Sequence, residues 1–308
     1  MNIVLAMLAA FLWGTTYAVT QYSLAGWPPL LLGALRALPA GLLLFAIKPN
    51  KPKRRDWAML LRLGGINIAL FFSLLFVMAQ TLPSAISGVG MISVPVFAML
   101  FHWIFNKKSP SRIQVFSGAL LIFCAGLLFD PRQLELSTIG MLAMLTAISC
   151  IVLGSNIIKA LTNRVHWWTI LCWQLILGGL LLAIVSIFQA LVSPAQYITV
   201  WNNLSLLNGF GLIWLIILNT ALAYSLYVWL LGRMTVVEFT FAGISNPIAG
   251  VIMGLLLVNE SFSVYQYSLM ACMLLASLLP PLLGRYFNKR AILQSPSKVS
   301  QTKYSLKS

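Results

Sequence analysis

The sequence predicts an all-α integral membrane protein of ten transmembrane helices, arranged as two inverted five-helix repeats. Three observations carry that prediction. Of 308 residues, 60% are hydrophobic and only 8% charged, with a mean hydropathy of +0.92. Soluble domains carry roughly 25% charged residues, so this chain is too poor in charge to coat itself with a water-facing surface. The apolar residues fall in ten runs, most of them near the ~20 helical residues that cross a ~30 Å hydrocarbon core. Short motifs also recur between the two halves at near-constant spacing. The same composition disfavours a soluble enzyme, a disordered regulator and a secreted disulfide scaffold.

The ten runs cover residues 2–24, 28–47, 58–80, 84–105, 112–129, 137–159, 168–190, 209–231, 236–257 and 264–284. The first lacks a basic n-region and a small-residue cleavage site, so it is expected to be a retained helix. The connection 191–208 is the longest on its side, and its Tyr197 and Trp201 are expected at the membrane interface, where such rings concentrate. Cys124, Cys150, Cys172 and Cys272 all lie inside apolar runs and read as small core residues rather than disulfides or metal ligands.

Basic residues set the orientation. They gather in alternate connections: Lys48, Lys51, Lys53, Arg54 and Arg55; Lys107, Lys108 and Arg112; Lys159 and Arg164; Arg233; and the tail from Arg285 to Lys307. The opposite side shows only Arg132. This places both termini in the cytoplasm and explains the +15 net charge without nucleic acid. The tail 285–308 is expected to be a disordered basic anchor near anionic lipid.

The halves repeat. Ile92-Ser93-Val94-Pro95 matches Ile244-Ser245-Asn246-Pro247, and the same offset of 152 pairs Gln114 with Gln266. Gly14-Thr15 matches Gly154-Ser155 at an offset of 140, and Gly41-Leu42-Leu43-Leu44 matches Gly179-Leu180-Leu181-Leu182 at 138, which sets Arg36 opposite Gln174. Each half holds five spans, an odd number, so the second half enters the membrane the other way up. The expected units are 2–129 and 137–284, and inverted repeats of this kind build secondary transporters with a site near the midplane.

These residues resemble the EamA family of the drug/metabolite transporter superfamily. Trp13-Gly14-Thr15-Thr16-Tyr17 resembles its first-helix signature and Arg36-Ala37-Leu38-Pro39-Ala40-Gly41-Leu42 its second-helix arginine pattern. Pro95 and Pro247 stand where the fourth and ninth helices of such proteins carry proline. Leu257-Val258-Asn259-Glu260 resembles the acidic end of the second repeat, whereas Asn106-Lys107-Lys108 lacks an acid at the matching place. The run from Trp13 to Leu44 is most similar to the PecM-like exporters, a branch associated with efflux of pigment and other metabolites. The resemblance covers about residues 2–285 and implies a bacterial inner-membrane transporter, usually an exporter, of small organic solutes; fold does not fix the substrate.

Arg36 is the most informative single residue. It lies about eight residues, or roughly 12 Å, into the second helix, where an arginine costs at least ~2.5–3.5 kcal/mol. Either it attracts an anionic group such as a substrate carboxylate, or it bonds helix carbonyls and locks the packing. Trp13, Thr16, Tyr17 and Thr20 share one face of the first helix, and Asn219, Thr220, Tyr224 and Tyr227 form a similar stripe in the eighth. Asn67, Asn156, Trp173 and Gln174 are further candidates for substrate binding, each equally able to serve as interhelical glue. Thr240, Gly243, Pro247, Gly250 and Gly254, with Ser84, Ser87, Gly88, Gly90 and Ser93, are expected to let the ninth and fourth helices approach closely. Pro95 and Pro247 are expected to kink them, either to serve gating or as static kinked packing.

Nothing in the sequence supports catalysis. His102 and His166 read as interfacial residues, and there is no metal-ligand spacing, paired carboxylate, phosphate loop or nucleophile elbow. No cofactor and no metal are expected. Glu238 and Glu260 are the acids nearest to helices, both at ends, with Asp130 and Glu135 beyond them. Transport is therefore expected by facilitated diffusion or exchange, with proton coupling confined to an end residue or the substrate's own proton. The expected function is alternating-access export of an amino acid or another aromatic or amphipathic metabolite. The expected partners are a small-molecule solute and the lipid bilayer, in a monomer or homodimer. The alternative is a membrane sensor or assembly partner that moves nothing.

Overall fold

A computed structural model describes residues 2–107, 109–129, 136–231, 233–234 and 242–294. No strand occurs among the described residues. The helices are α1 (Asn2–Ser23), α2 (Pro29–Ile47), α3 (Arg54–Thr81), α4 (Ser84–Phe105), α5 (Arg112–Leu128), α6 (Thr138–Thr162), α7 (Trp167–Val192), α8 (Pro194–Asn202), α9 (Leu206–Leu230), α10 (Ser245–Leu257) and α11 (Val264–Gln294). Seven are long and apolar enough to cross a membrane: α1 to α4, α6, α7 and α9. α5, α10 and the Val264–Pro280 part of α11 are shorter apolar helices. Each of the ten apolar runs thus meets a helix. Residues 236–241 of the ninth run lie outside the described residues, as do Lys108, Asp130, Arg132, Glu135, Glu238 and Thr240.

Two features add to the expected layout. The long connection 191–208 contains a helix, α8, started by Pro194 at its first position, where a missing N–H costs nothing. Tyr197 is buried within the protein: its hydroxyl donates to Gln189 Oε1 at 2.8 Å and lies 3.0 Å from Ser186 Oγ. Trp201 remains exposed. At the other end of the chain, α11 continues as helix to Gln294, through the first ten residues of the expected tail.

Local chemistry repeats along with the sequence. Ser111 and Gln114 close a reciprocal capping box at the start of α5. Ser263 and Gln266 make the same pair of bonds at the start of α11, satisfying amide donors that a helix start leaves free. α3 carries a π-helical stretch at Gly64–Leu70, and α9 one at Trp214–Leu222. Asn67 and Asn219 sit inside these two stretches. The prolines also match: α4 breaks into a 3-10 turn at Met91–Ser93 just before Pro95, and Pro247 lies in the first turn of α10. At both places the missing N–H falls where the α-helical ladder restarts.

The helices pack α2 on α7, α1 and α4 on α10, α5 on α11, and α3 on α6 and α7. Close approach rests on glycine. A Cβ at Gly41 would stand 2.9 Å from Ile176 N, and one at Gly179 would stand 2.7 Å from Leu38 N. On α4 and α10, Gly88 and Gly250 face one another, each leaving 3.2–3.3 Å between a hypothetical Cβ and the other's Cα. The thiols of Cys124 and Cys272 meet at 3.4 Å between α5 and α11, both free.

The bundle has two unlike ends. At one, the basic connections converge: Trp168 Nε1 donates to Lys48 O at 3.0 Å, Trp173 Nε1 to Asn50 O at 2.8 Å, and Arg164 Nε lies 3.4 Å from Asp56 Oδ1. Asp56, which the sequence reading passed over, is 1% exposed and is the charge that ties 48–57 to 160–167. His166 caps α7 there, accepting from the Trp168 N–H at 3.2 Å. At the opposite end Gln21 donates to Leu82 O, Gln80 to Trp27 O and Asn208 to Ser23 O, at 2.6–2.7 Å. Glu260 completes that end by accepting from the Ser84 N–H and, at 3.0 Å, from the Ala85 N–H.

Candidate functional site

A cavity of about 90 Å³ lies inside the bundle. At about 30 Å³ per water that is room for roughly three waters; a cavity of ~150 Å³ is needed to hold a bare benzene ring, so a ring-bearing solute enters this one only if its walls widen. Its walls come from both halves of the chain. The first half gives Trp13, Thr16, Tyr17, Arg36, Asn67, Phe71, Leu75 and Met91; the second gives Ile151, Ser155, Ile158, Tyr224, Tyr227 and Asn246. Ile158 and Tyr227 lie towards the basic end of their helices and Arg36, Leu75 and Met91 towards the opposite end, so the cavity sits in the middle of the bundle. Polar bonds join the connections at both ends of the bundle.

Arg36 is 2% exposed. Its Nε donates to Thr220 Oγ1 at 2.8 Å and its Nη2 to Asn219 O at 3.4 Å. The guanidinium carbon stands 4.4 Å from the centroid of the Phe72 ring, a geometry in which the ring face attracts a cation. Nη1 has no hydrogen-bond partner, and no acid lines the cavity among the described residues. Both readings of Arg36 therefore have a physical basis: two nitrogens hold the helices, and the third is uncommitted.

The π-helical stretch of α9 makes this possible. The Thr220 hydroxyl donates to Leu215 O at 2.8 Å, five residues back, while accepting from Arg36. Asn219 O accepts from Arg36 and from Trp13 Nε1, the latter at 3.0 Å, while Asn219 Nδ2 donates to Thr16 Oγ1 at 2.7 Å. Trp13 is thus pinned, and Tyr224 and Tyr227 stand edge-on to it, each 4.9 Å between centroids. The matching stretch of α3 presents Asn67, whose Nδ2 donates to Gln174 Oε1 at 2.9 Å. Gln174, the counterpart of Arg36, is fully buried and its Nε2 has no partner.

Of the residues singled out from sequence, Trp13, Thr16, Tyr17, Arg36, Asn67 and Tyr224 come together around the cavity. Asn219 and Gln174 stand behind it as supports. Thr20 turns back to its own helix, its hydroxyl donating to Thr16 O, and Asn156 does the same to Val152 O. Trp173 lies at the basic end among Phe45 and Trp57. Pro95 and Pro247 are at helix restarts and do not line the cavity. The sequence reading missed Phe71, Leu75, Met91, Ile151 and Ile158, which are indistinguishable from core by type. It also did not single out Ser155 and Asn246 for binding, although both had been quoted in the repeated motifs.

The model of the EamA-like transporter family matches residues 1–129 and 138–279. Protein PecM of Dickeya dadantii is 28% identical over 261 residues, 84% of each chain. The "uncharacterized inner membrane transporter YedA" of Escherichia coli K12 is 26% identical over 286 residues, 89% of this chain and 88% of its own. A solved crystal structure, 18% identical, superposes with a TM-score of 0.65 over 92% of this chain and 98% of its own, a likeness of fold. With its helices, cavity and both matched stretches accounted for in this way, the chain belongs to the EamA-like transporter family and is a membrane transporter.

Proposed function

We infer that this chain is a secondary transporter of the bacterial inner membrane that exports a small amphipathic organic metabolite by alternating access. The carrying observation is the cavity walled by both halves, with Arg36, Asn67 and Tyr224 at its surface. The units are 2–129 and 137–284, ten spans in two inverted repeats, with the basic end and the segment 285–308 in the cytoplasm. The paired capping boxes, paired π-helical stretches and the two separate family matches support this division. The inner membrane follows the printed name of YedA. The cavity lies in the middle of a bundle whose two ends are both tied by polar bonds, the place where a carrier built of inverted repeats holds its solute.

The test is flux from proteoliposomes loaded with a mixed pool of amino acids, aromatic metabolites and short organic acids. Protein-containing vesicles are expected to lose particular solutes that empty vesicles retain, with no dependence on a pH gradient if movement is by facilitated diffusion or exchange. Retention of every solute by vesicles holding folded protein would favour the non-transporting reading.

A further inference from the structure

A guanidinium has five N–H donors and a fixed charge. In Arg36 the protein uses Nε and one bond from Nη2, and leaves Nη1 without a partner. Such an uncommitted buried donor on a permanent cation is costly. The Phe72 face offsets part of that cost, but supplies no acceptor. No carboxylate lines the cavity among the described residues, so the empty cavity carries one positive charge. The scaffold has not been tuned to satisfy Arg36 internally, although Gln174 shows that a neutral amide fits the equivalent place in the other half.

The walls around that charge are aromatic. Trp13, held by Asn219 O and packed against Tyr224 and Tyr227, is fixed in orientation, so a solute ring meets a preformed aromatic wall. Tyr17 and Tyr224 both line the cavity with Arg36. Asn246 lines it too, and its Oδ1 is a second buried atom without a partner.

We propose that the cavity, on widening to admit a solute, selects small ring-bearing monocarboxylates, with the carboxylate bound by Arg36 Nη1 and the ring packed on Trp13 and Tyr224. A single carboxylate neutralises the site and supplies the missing acceptor. A dianion leaves a net charge, a neutral solute leaves the cation uncompensated, and a cation is repelled. This rests on the transport reading of the same cavity and names its substrate class.

Binding is measured by isothermal titration calorimetry on the purified full chain in detergent at neutral pH, with three probes of like size: phenylacetate, phenylacetamide and phenethylamine. Phenylacetate is expected to bind at one site roughly tenfold or more tighter than phenylacetamide, the factor for a charge-assisted hydrogen bond, and phenethylamine not at all. Arg36→Gln should remove the preference. Because that variant also cuts the Thr220 bond and can fail to fold, Asn246→Asp is the second variant. It is isosteric, keeps Arg36 in place and adds an internal anion to the cavity, so phenylacetate affinity should fall by roughly tenfold or more. Equal affinity for the three probes, no phenylacetate binding, or an anion preference that survives Asn246→Asp would each overturn the proposal. These binding outcomes are independent of flux: a protein that transports neutral solutes but ignores phenylacetate keeps the transport reading and loses this one.

Discussion

Arg36 reaches Thr220 across the bundle, Nε to Oγ1 at 2.8 Å, and that hydroxyl in turn donates to Leu215 O. The pair joins α2 of the first half to the π-helical stretch of α9. A π turn widens the ladder and frees a carbonyl from its ordinary partner; here Leu215 O takes the Thr220 hydroxyl, which leaves the oxygen's lone pair for the cation. Thr220→Val keeps the shape and removes the acceptor. The expected loss is about 1.5–3 kcal/mol, the range for a hydrogen bond to a charged group, read as a lower unfolding midpoint in detergent. Thr220→Ser should recover most of it. A valine variant as stable as the parent would mean that the Phe72 face and Asn219 O suffice to hold the guanidinium.

Much of this was legible beforehand, and the limit has a physical cause. The spans follow from hydropathy because lipid forces every backbone group into a helix. Arg36 stood out because a charge at that depth has to be compensated. Trp13, Thr16 and Tyr17 stood out because their helical spacing places them on one face. Asn219 and Gln174 looked like binding groups because their polarity, not their direction, is what a sequence prints. The π stretches set the direction of Asn219 and of Asn67, to which Gln174 is bonded, and single-residue register shifts of that kind leave no periodic signature. Asp56 was missed for a related reason: beside five basic residues it reads as one member of a charged loop, and its burial depends on the distant Arg164.

Glu260 clasps the start of α4 from the second half, and burial pushes its carboxyl above the ordinary carboxylate range. The Ala85 and Ser84 N–H bonds pull the other way and offset part of the shift. A raised folded-state value means that the folded protein holds the proton more tightly than the unfolded chain does. The stabilisation is full below the unfolded carboxylate value of about 4.3 and is lost as pH rises through the folded one. Glu260→Gln does not titrate. The unfolding midpoint of the wild type relative to this variant should be highest at acid pH and fall as pH rises. A gap that grows in favour of the wild type with pH would show that the two N–H bonds outweigh desolvation. Gly254→Ala, whose new Cβ would collide with the Glu260 carboxylate, should displace the clasp and flatten the same pH dependence.

Asp56 and Arg164 tie the two halves at the basic end, at 3.4 Å, with Arg55 at 3.9 Å on the same oxygen. Arg164 is 40% exposed and the approach to Asp56 Oδ1 lacks hydrogen-bond geometry. Solvent therefore screens the attraction. A double-mutant cycle with Asp56→Asn and Arg164→Gln should give a coupling of about 0.2–1 kcal/mol, smaller at high salt. A coupling that is salt-insensitive and several times larger would show that the pair is buried in the membrane-embedded protein.

Gly41 and Gly179 offer the sharpest test of the repeat itself. Each abuts the helix that carries the other: Gly41 faces Ile176 and Gly179 faces Leu38, and these four residues pair off at the single offset of 138. The α2–α7 crossing is thus reciprocal, as a two-fold relation between repeats demands. In each case the obstacle includes a backbone nitrogen, which cannot rotate away. Gly41→Ala must push the helices apart, at about 1–3 kcal/mol for overpacking, and Gly179→Ala should cost a similar amount. The double variant should cost clearly less than the sum, because helices already separated by one methyl leave room for the second. Unequal single costs, or strict additivity, would mean that the two contacts relax independently and that the crossing is not one shared hinge line. If the α2–α7 distance is set jointly, solute flux should respond in the same way: each single variant slows it, and the second substitution adds little to the first.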